Sequence, residues 1–218
     1  MGDFTELFDQ WAVDYDRTVY GIDNEYKEVF ERYDHILSTV CDQLQDKKGG
    51  VVLEIGVGTG NLTSILYKRG FHVIPIEPSQ EMRKIAKNKL SHIEIYDGHF
   101  LNIHISTKVD AIVTSYAFHH LDQKEKREAI YYLDSFLKEG GKVVIADTMF
   151  ESKKYKKALY KEVENEKKLH LLNDLNTEYY EYIEDISKIF EDLDYRMDRK
   201  KMNKYVWIMT CYKGGNKK

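Results

Sequence analysis

The chain has 218 residues, 42% of them hydrophobic and 32% charged, with 33 basic and 37 acidic side chains giving a formal net charge of −4. That size and composition fit one globular domain with a substantial core, and the slight acidity offers no basic face for a nucleic-acid partner. Cys41 and Cys211, the two cysteines, make neither a disulfide framework nor a metal-ligand spacing. They read as buried apolar fillers in a reducing cytoplasm. No apolar run reaches membrane-spanning length, and the opening Met1-Gly2-Asp3-Phe4-Thr5-Glu6 is acidic and unlike a signal peptide. A cytoplasmic protein with no membrane or nucleic-acid partner and no metal is the expectation; nothing fixes an oligomeric state.

Residues 3–16 and 24–46 are predicted helices. In the second, Tyr26, Val29, Phe30, Tyr33, Ile36, Leu37, Val40 and Leu44 recur at helical steps and form one apolar face. Gly49-Gly50 ends it, and a strand is predicted over 51–55. A helix over 61–69 closes at Gly70. A strand over 72–76 leads to a helix over 80–89 that Ser79 caps. Further strands are predicted at 93–96 and 109–115, then a helix over 123–137, a turn at Gly140-Gly141 and a strand over 142–147. Strands alternating with helices predict an α/β, doubly wound, mostly parallel seven-stranded sheet. Helices over 151–172 and 178–192 follow, then strands near 195–200 and 205–212 joined at Met202-Asn203-Lys204, and a frayed lysine-rich end. The expected organisation is a single domain: N-terminal helical cap 1–48, βαβ core 49–147, helical lid insertion 148–176, and C-terminal helix with β-hairpin 177–218.

The most informative stretch is Val51-Val52-Leu53-Glu54-Ile55-Gly56-Val57-Gly58-Thr59-Gly60-Asn61, a strand running into a glycine turn that opens a helix. Glu77 stands 21 residues after Gly56, at the end of the second strand. That order describes a nucleoside-binding βαβ unit: glycines let the backbone approach the ligand, and the acid accepts from ribose hydroxyls. A Walker loop needs Gly-Lys-Ser/Thr, whereas Asn61 and Leu62 follow Gly60. A dinucleotide fingerprint needs a glycine where Asn61 stands. The compact G-x-G-x-G suits a ligand without pyrophosphate, with an amino-acid tail for the loop and a ribose for the acid: S-adenosylmethionine. In these features the chain resembles the class I S-adenosylmethionine-dependent methyltransferases, a Rossmann-like fold that ends its sheet in a β-hairpin.

A closer resemblance spans nearly the whole chain. Phe8-Asp9-Gln10-Trp11-Ala12-x-x-Tyr15-Asp16, Gly56-Val57-Gly58-Thr59-Gly60-Asn61-Leu62-Thr63, Ile76-Glu77-Pro78-Ser79-x-Glu81-Met82-Arg83, Tyr116-Ala117-Phe118-His119-His120-Leu121 and Asn173-Asp174-Leu175-x-Thr177-Glu178-Tyr179-Tyr180 are together similar to the YrrT-type bacterial methyltransferases. The resemblance implies that Gly56 and Glu77 hold the methyl donor. The family's third contact, an aspartate in G-D-F, is replaced here, because the sequence reads Gly98-His99-Phe100. Either a neutral His99 accepts from the adenine amine or Asp97 shifts into the role.

Physical chemistry assigns the remaining roles. Loop amides at a helix N-terminus, at Gly56, Gly58 and Gly60, favour the donor carboxylate. Glu54 either receives the donor ammonium or caps loop amides. Met82 and Phe100 are adenine walls or ordinary core. Tyr116, His119 and His120 follow the strand 109–115 at the edge where such sheets bind ligands. One histidine accepts a proton or orients the acceptor, or packs against the donor. Trp11, Tyr15 and Tyr20 either close over the donor or anchor the N-terminal helix; His170, Tyr179 and Tyr180 belong to the lid region. The expected function is in-line methyl transfer from S-adenosylmethionine to a small-molecule acceptor. The competing readings are a non-catalytic module that binds the donor or S-adenosylhomocysteine, and a nicotinamide-dependent oxidoreductase.

Overall fold

The computed structural model describes Ala12, residues 15–21 and residues 24–214. Trp11 and most of the predicted 3–16 helix lie outside the described residues. The helices are α1 (Tyr15–Val19), α2 (Tyr33–Asp42), α3 (Asn61–Lys68), α4 (Gln80–Lys89), α5 (Gln123–Asp134), α6 (Lys153–Asn165), α7 (Leu169–Thr177) and α8 (Ile183–Glu191). The strands are β1 (Val51–Ile55), β2 (His72–Ile76), β3 (Val109–Ser115), β4 (Leu137–Thr148), β5 (Arg196–Lys201) and β6 (Val206–Tyr212). They form one sheet in the order β2-β1-β3-β4-β6-β5. The first four run parallel, and β6 is antiparallel to both β4 and β5.

Alternation along the strands feeds two cores. Val52, Ala111, Val113, Val144 and Ala146 face α2, α3, α6 and α7. Leu53, Ile55, Ile112, Val143 and Ile145 face α5 and α8 on the opposite side. A strand buried on both faces reads as a continuous apolar run, which is how Val51-Val52-Leu53 looks in sequence. Among the described residues no helix is long and apolar enough to cross a membrane.

Several boundaries depart from the sequence reading. The sheet has six strands, not seven, because 93–96 contributes only an isolated bridge between Tyr96 and Ile76. His72 N–H donates inward to Gly50, so the alternate residues Val73, Pro75 and Glu77 face outward; Tyr96 N–H meets Pro75 O and Glu77 N–H meets Tyr96 O. Pro75 has no N–H to extend that ladder toward residue 94. The 24–46 helix shortens to α2, because Arg32 sits in the left-handed region at φ 61° and the chain before it forms turns. The 151–172 helix is two, α6 and α7. Lys167, at φ 57°, ends α6 with N–H bonds from Lys167 to Glu164 O and from Lys168 to Val163 O, a Schellman stop built without glycine. The 178–192 helix starts only at Ile183, since Tyr182 bridges Phe150. β4 begins at Leu137, which pairs with Val109 before the register shifts.

Candidate active site

The turn after β1 is built on left-handed glycines. Gly56 lies at φ 75°, and a Cβ there would come within 2.5 Å of Ala117 Cβ. Its N–H reaches Ile76 O at 2.9 Å, tying the turn to the end of β2. Glu77, 4% exposed, follows there. One carboxylate oxygen accepts from Gly58 N–H at 2.8 Å and the other from Ser79 N–H at 2.9 Å. These residues open on a cavity of about 430 Å³ at the C-terminal ends of β1, β2 and β3, the size and position of a small-molecule site in an open α/β sheet.

Two predicted site residues face elsewhere. Gly60 does not line the cavity; a Cβ on it would press on Leu90 at 2.9 Å and Ala86 at 3.3 Å, so it is a packing glycine between α3 and α4. Glu54 is buried beneath the turn and accepts from Thr63 Oγ at 2.7 Å as well as from the Thr63 amide. It satisfies an amide of the first turn of α3, and burial raises its pKa to about 8. Of its two readings, the structural one describes this geometry.

Met82, His99 and Phe100 line the cavity as expected. The His99 backbone is fixed by reciprocal bonds with Asn102. Its Nδ1 accepts from Leu101 N–H at 3.3 Å, so the neutral ring carries its proton on Nε2. Burial lowers its pKa. Asp97 instead pairs with Arg83, its side chain 76% exposed.

Helix α1 is pinned across the turn by Asp16, which accepts from Thr59 Oγ at 2.6 Å and Asn61 Nδ2 at 3.2 Å and pairs with Lys89 at 2.5 Å. That places Tyr15 in the cavity wall beside Tyr33. Tyr20 points outward at 56% exposed and meets Tyr33 edge-on.

A second cavity, about 370 Å³, shares Tyr15, Met82, Tyr116 and His120 with the first. His119 lines only the second. Its Nδ1 lies 2.7 Å from Asp147 Oδ1, and Asp147 also accepts the His119 and Thr148 amides. A carboxylate only accepts, so Nδ1 carries the proton and Nε2 is left basic. Burial alone would lower the His119 pKa, but the Asp147 charge outweighs it and the value ends raised. Burial would raise Asp147, yet the same pairing leaves it lowered. His120 Nδ1 meets Glu178 at 3.1 Å, while burial and the neighbouring His119 push its pKa down to about 4. His120 is thus a neutral donor to the Glu178 carboxylate.

His119, His120 and Glu178 each offer a ligand atom within 4.8 Å of the others, a spacing open to a cation. The hydrogen bond between His120 and Glu178 already satisfies two of those atoms on each other.

Tyr180 stacks on His119 with ring centroids 4.8 Å apart, whereas Tyr179 is 44% exposed and contributes its backbone, donating N–H to His119 O. His170 reaches the second cavity. The buried Lys126 ammonium bonds Leu121 O and Tyr179 O, fastening the histidine turn to the tyrosine segment. Tyr116 occupies the left-handed region at φ 53°, and its buried hydroxyl has no hydrogen-bond partner among the described residues. Strain and an unpaired polar atom coincide on the wall common to both cavities.

Asp147, Asp174, Glu178 and Tyr33 were not among the site residues expected from the sequence, where Tyr33 stood on a helix face and Asp174 and Glu178 only in a motif. Asp147 was the most findable, an acid near the C-terminal end of a predicted parallel strand. Glu178 joins His120 from 58 positions away, and no local pattern carries that pairing.

A methyltransferase-domain family profile matches residues 52–141. An uncharacterized methyltransferase of Alkaliphilus oremlandii is 60% identical over 215 residues, covering 99% of this chain and 100% of the relative. The uncharacterized methyltransferase YrrT of Halobacillus halophilus is 43% identical, covering 97% and 98% respectively. Among solved structures, magnesium protoporphyrin IX methyltransferase of Synechocystis with bound SAH superposes with a TM-score of 0.75 at 17% identity, covering 96% of this chain and 98% of that one; that likeness is one of fold. The glycine turn, the acid at the end of β2 and near full-length identity to these relatives agree: the chain belongs to the YrrT-type family of class I S-adenosylmethionine-dependent methyltransferases.

Proposed function

We propose that the first cavity holds S-adenosylmethionine and the second a small-molecule acceptor, with His119 receiving the proton the acceptor gives up. The observation that carries this reading is the shared wall of Tyr15, Met82, Tyr116 and His120, which leaves a donor-sized and an acceptor-sized space in contact. When bound, the donor supplies a methyl group on a sulfonium, already activated for in-line displacement. Gly56 and Gly58 let the backbone approach its amino-acid end. Glu77 keeps the loop in shape through Gly58 and Ser79, and its carboxylate would receive the ribose hydroxyls. Phe100 and Met82 would flank the adenine, and His99, its proton on Nε2, would offer it a hydrogen-bond donor.

On the acceptor side the nucleophilic atom faces His119. Nε2 takes its proton as the nucleophile–carbon bond forms and the carbon–sulfur bond breaks, with the bonding pair leaving on sulfur. Asp147 holds the ring and stabilises the imidazolium. On this reading residues 49–147 carry the donor, while 148–176 and α1 cover the acceptor and exclude water.

The test is calorimetric titration with S-adenosylhomocysteine, followed by an acceptor screen that detects S-adenosylhomocysteine release. Binding and turnover on a metabolite support the reading. Absence of binding at saturating concentration overturns it, and turnover confined to a macromolecule overturns the small-molecule part.

A further inference from the structure

We propose that the second cavity selects acceptors carrying an amine, held in its ammonium form against Asp174, and turns away carboxylates and phosphates. This rests on the placement of the acceptor argued above.

The charge inventory leans to one side. Asp174 and Glu178 line the cavity beside His119, His120 and His170, and among the described residues no lysine or arginine does. A cavity built for phosphate or carboxylate presents guanidinium or ammonium groups; this one presents their complement. The two acids are not equivalent. Glu178 is engaged by His120. Asp174 is hydrogen-bonded by the neutral donors Tyr26 and Asn173 and feels the His119 charge at longer range, and among the described residues no basic side chain forms an ion pair with it. Burial raises its pKa, which is the cost of a half-buried carboxylate lacking a cation.

Ring faces supply independent support. Tyr26, Phe30, Tyr116 and Tyr180 contribute aromatic surface to the same cavity, and aromatic faces attract cations. Tyr205 adds another ring to the lining. An ammonium meets this set with a carboxylate and ring faces.

The experiment uses the full chain saturated with S-adenosylhomocysteine and two probe pairs. Choline is compared with its uncharged isostere 3,3-dimethylbutan-1-ol, and phenethylamine with 3-phenylpropionate, by calorimetry and thermal shift. The cations should bind at least about tenfold tighter than their counterparts. Asp174→Asn should abolish that preference while S-adenosylhomocysteine affinity stays within about twofold, which also reports a folded donor site. Should that variant not fold, the wild-type preference alone decides. Equal or tighter binding of the uncharged or acidic probes, no binding by either amine, or a preference that survives Asp174→Asn overturns the proposal. Failure of S-adenosylhomocysteine itself to bind is a different outcome, and sinks the functional reading rather than the amine selectivity.

Discussion

Asp16 and Thr59 meet side chain to side chain at 2.6 Å across 43 positions of sequence. This contact joins α1 to the glycine turn and brings Tyr15 into both cavities. Asp16→Ala should therefore loosen the N-terminal cover and weaken S-adenosylhomocysteine binding. Its side chain is 34% exposed, so solvent screening limits the effect to about 1 kcal/mol. Hydrogen exchange on residues 15–21 should rise in the variant; unchanged exchange and affinity would remove Asp16 from the cover.

Glu77 offers a sharper test. Both of its oxygens accept backbone amides. Glu77→Gln places an amide NH₂ against Gly58 or Ser79 N–H, donor facing donor. The glutamine variant should thus lose donor affinity about as heavily as Glu77→Ala, by roughly 1.5–3 kcal/mol. Near-parental affinity in the glutamine variant, read by calorimetry, would show that the loop does not need the carboxylate.

The His119–Asp147 pair sets a pH dependence. His119 acts as a base only when its Nε2 is unprotonated, so turnover should rise as pH climbs through its pKa, raised above 6.5 by Asp147. His120, near 4, stays neutral across that range. Asp147→Asn should shift the limb to lower pH and reduce turnover by about 10²-fold or more. For stability the sign is opposite: a raised folded pKa contributes fully below the unfolded value and is lost as pH rises through the folded one. An NMR titration of His119 in the S-adenosylhomocysteine complex checks the shift without an acceptor, and a value below 6.5 would remove its basis.

His99 separates two hydrogen-bond directions. With Leu101 N–H on Nδ1, the Nε2 proton is present whether the ring is neutral or charged. S-adenosylhomocysteine affinity should change little, by less than about threefold, between roughly pH 8 and 5. A steep loss through the His99 titration would mean that the ring accepts from the adenine amine. His99→Asp replaces a donor by an acceptor and should weaken binding on the direction argued here.

Legibility followed locality. The glycine turn and the strands that flank it are local patterns, and the structure keeps Gly56, Gly58 and Glu77 on the first cavity while losing the strand expected at 93–96. Gly70 ends α3 as its sequence suggests, with N–H bonds from Gly70 to Tyr67 O and from Phe71 to Leu66 O. Lys167 ends α6 by the same geometry, yet a lysine in the left-handed region leaves no mark in a sequence. Gly60 misled in the other direction, since a glycine kept for packing on Ala86 looks the same as one kept for a ligand. The pairings of Asp147 and Glu178 were hidden because their histidine partners lie 28 and 58 positions away in sequence.

The wall held in common by the two cavities has a thermodynamic consequence. A ligand in the first space would touch Tyr15, Met82, Tyr116 and His120, the same residues that the second presents. The factor by which donor product tightens or loosens acceptor binding must equal the factor by which acceptor alters donor-product binding. On the proposed placement of donor and acceptor, such coupling would favour a fixed order of arrival and make inhibition by spent donor depend on how much acceptor is present.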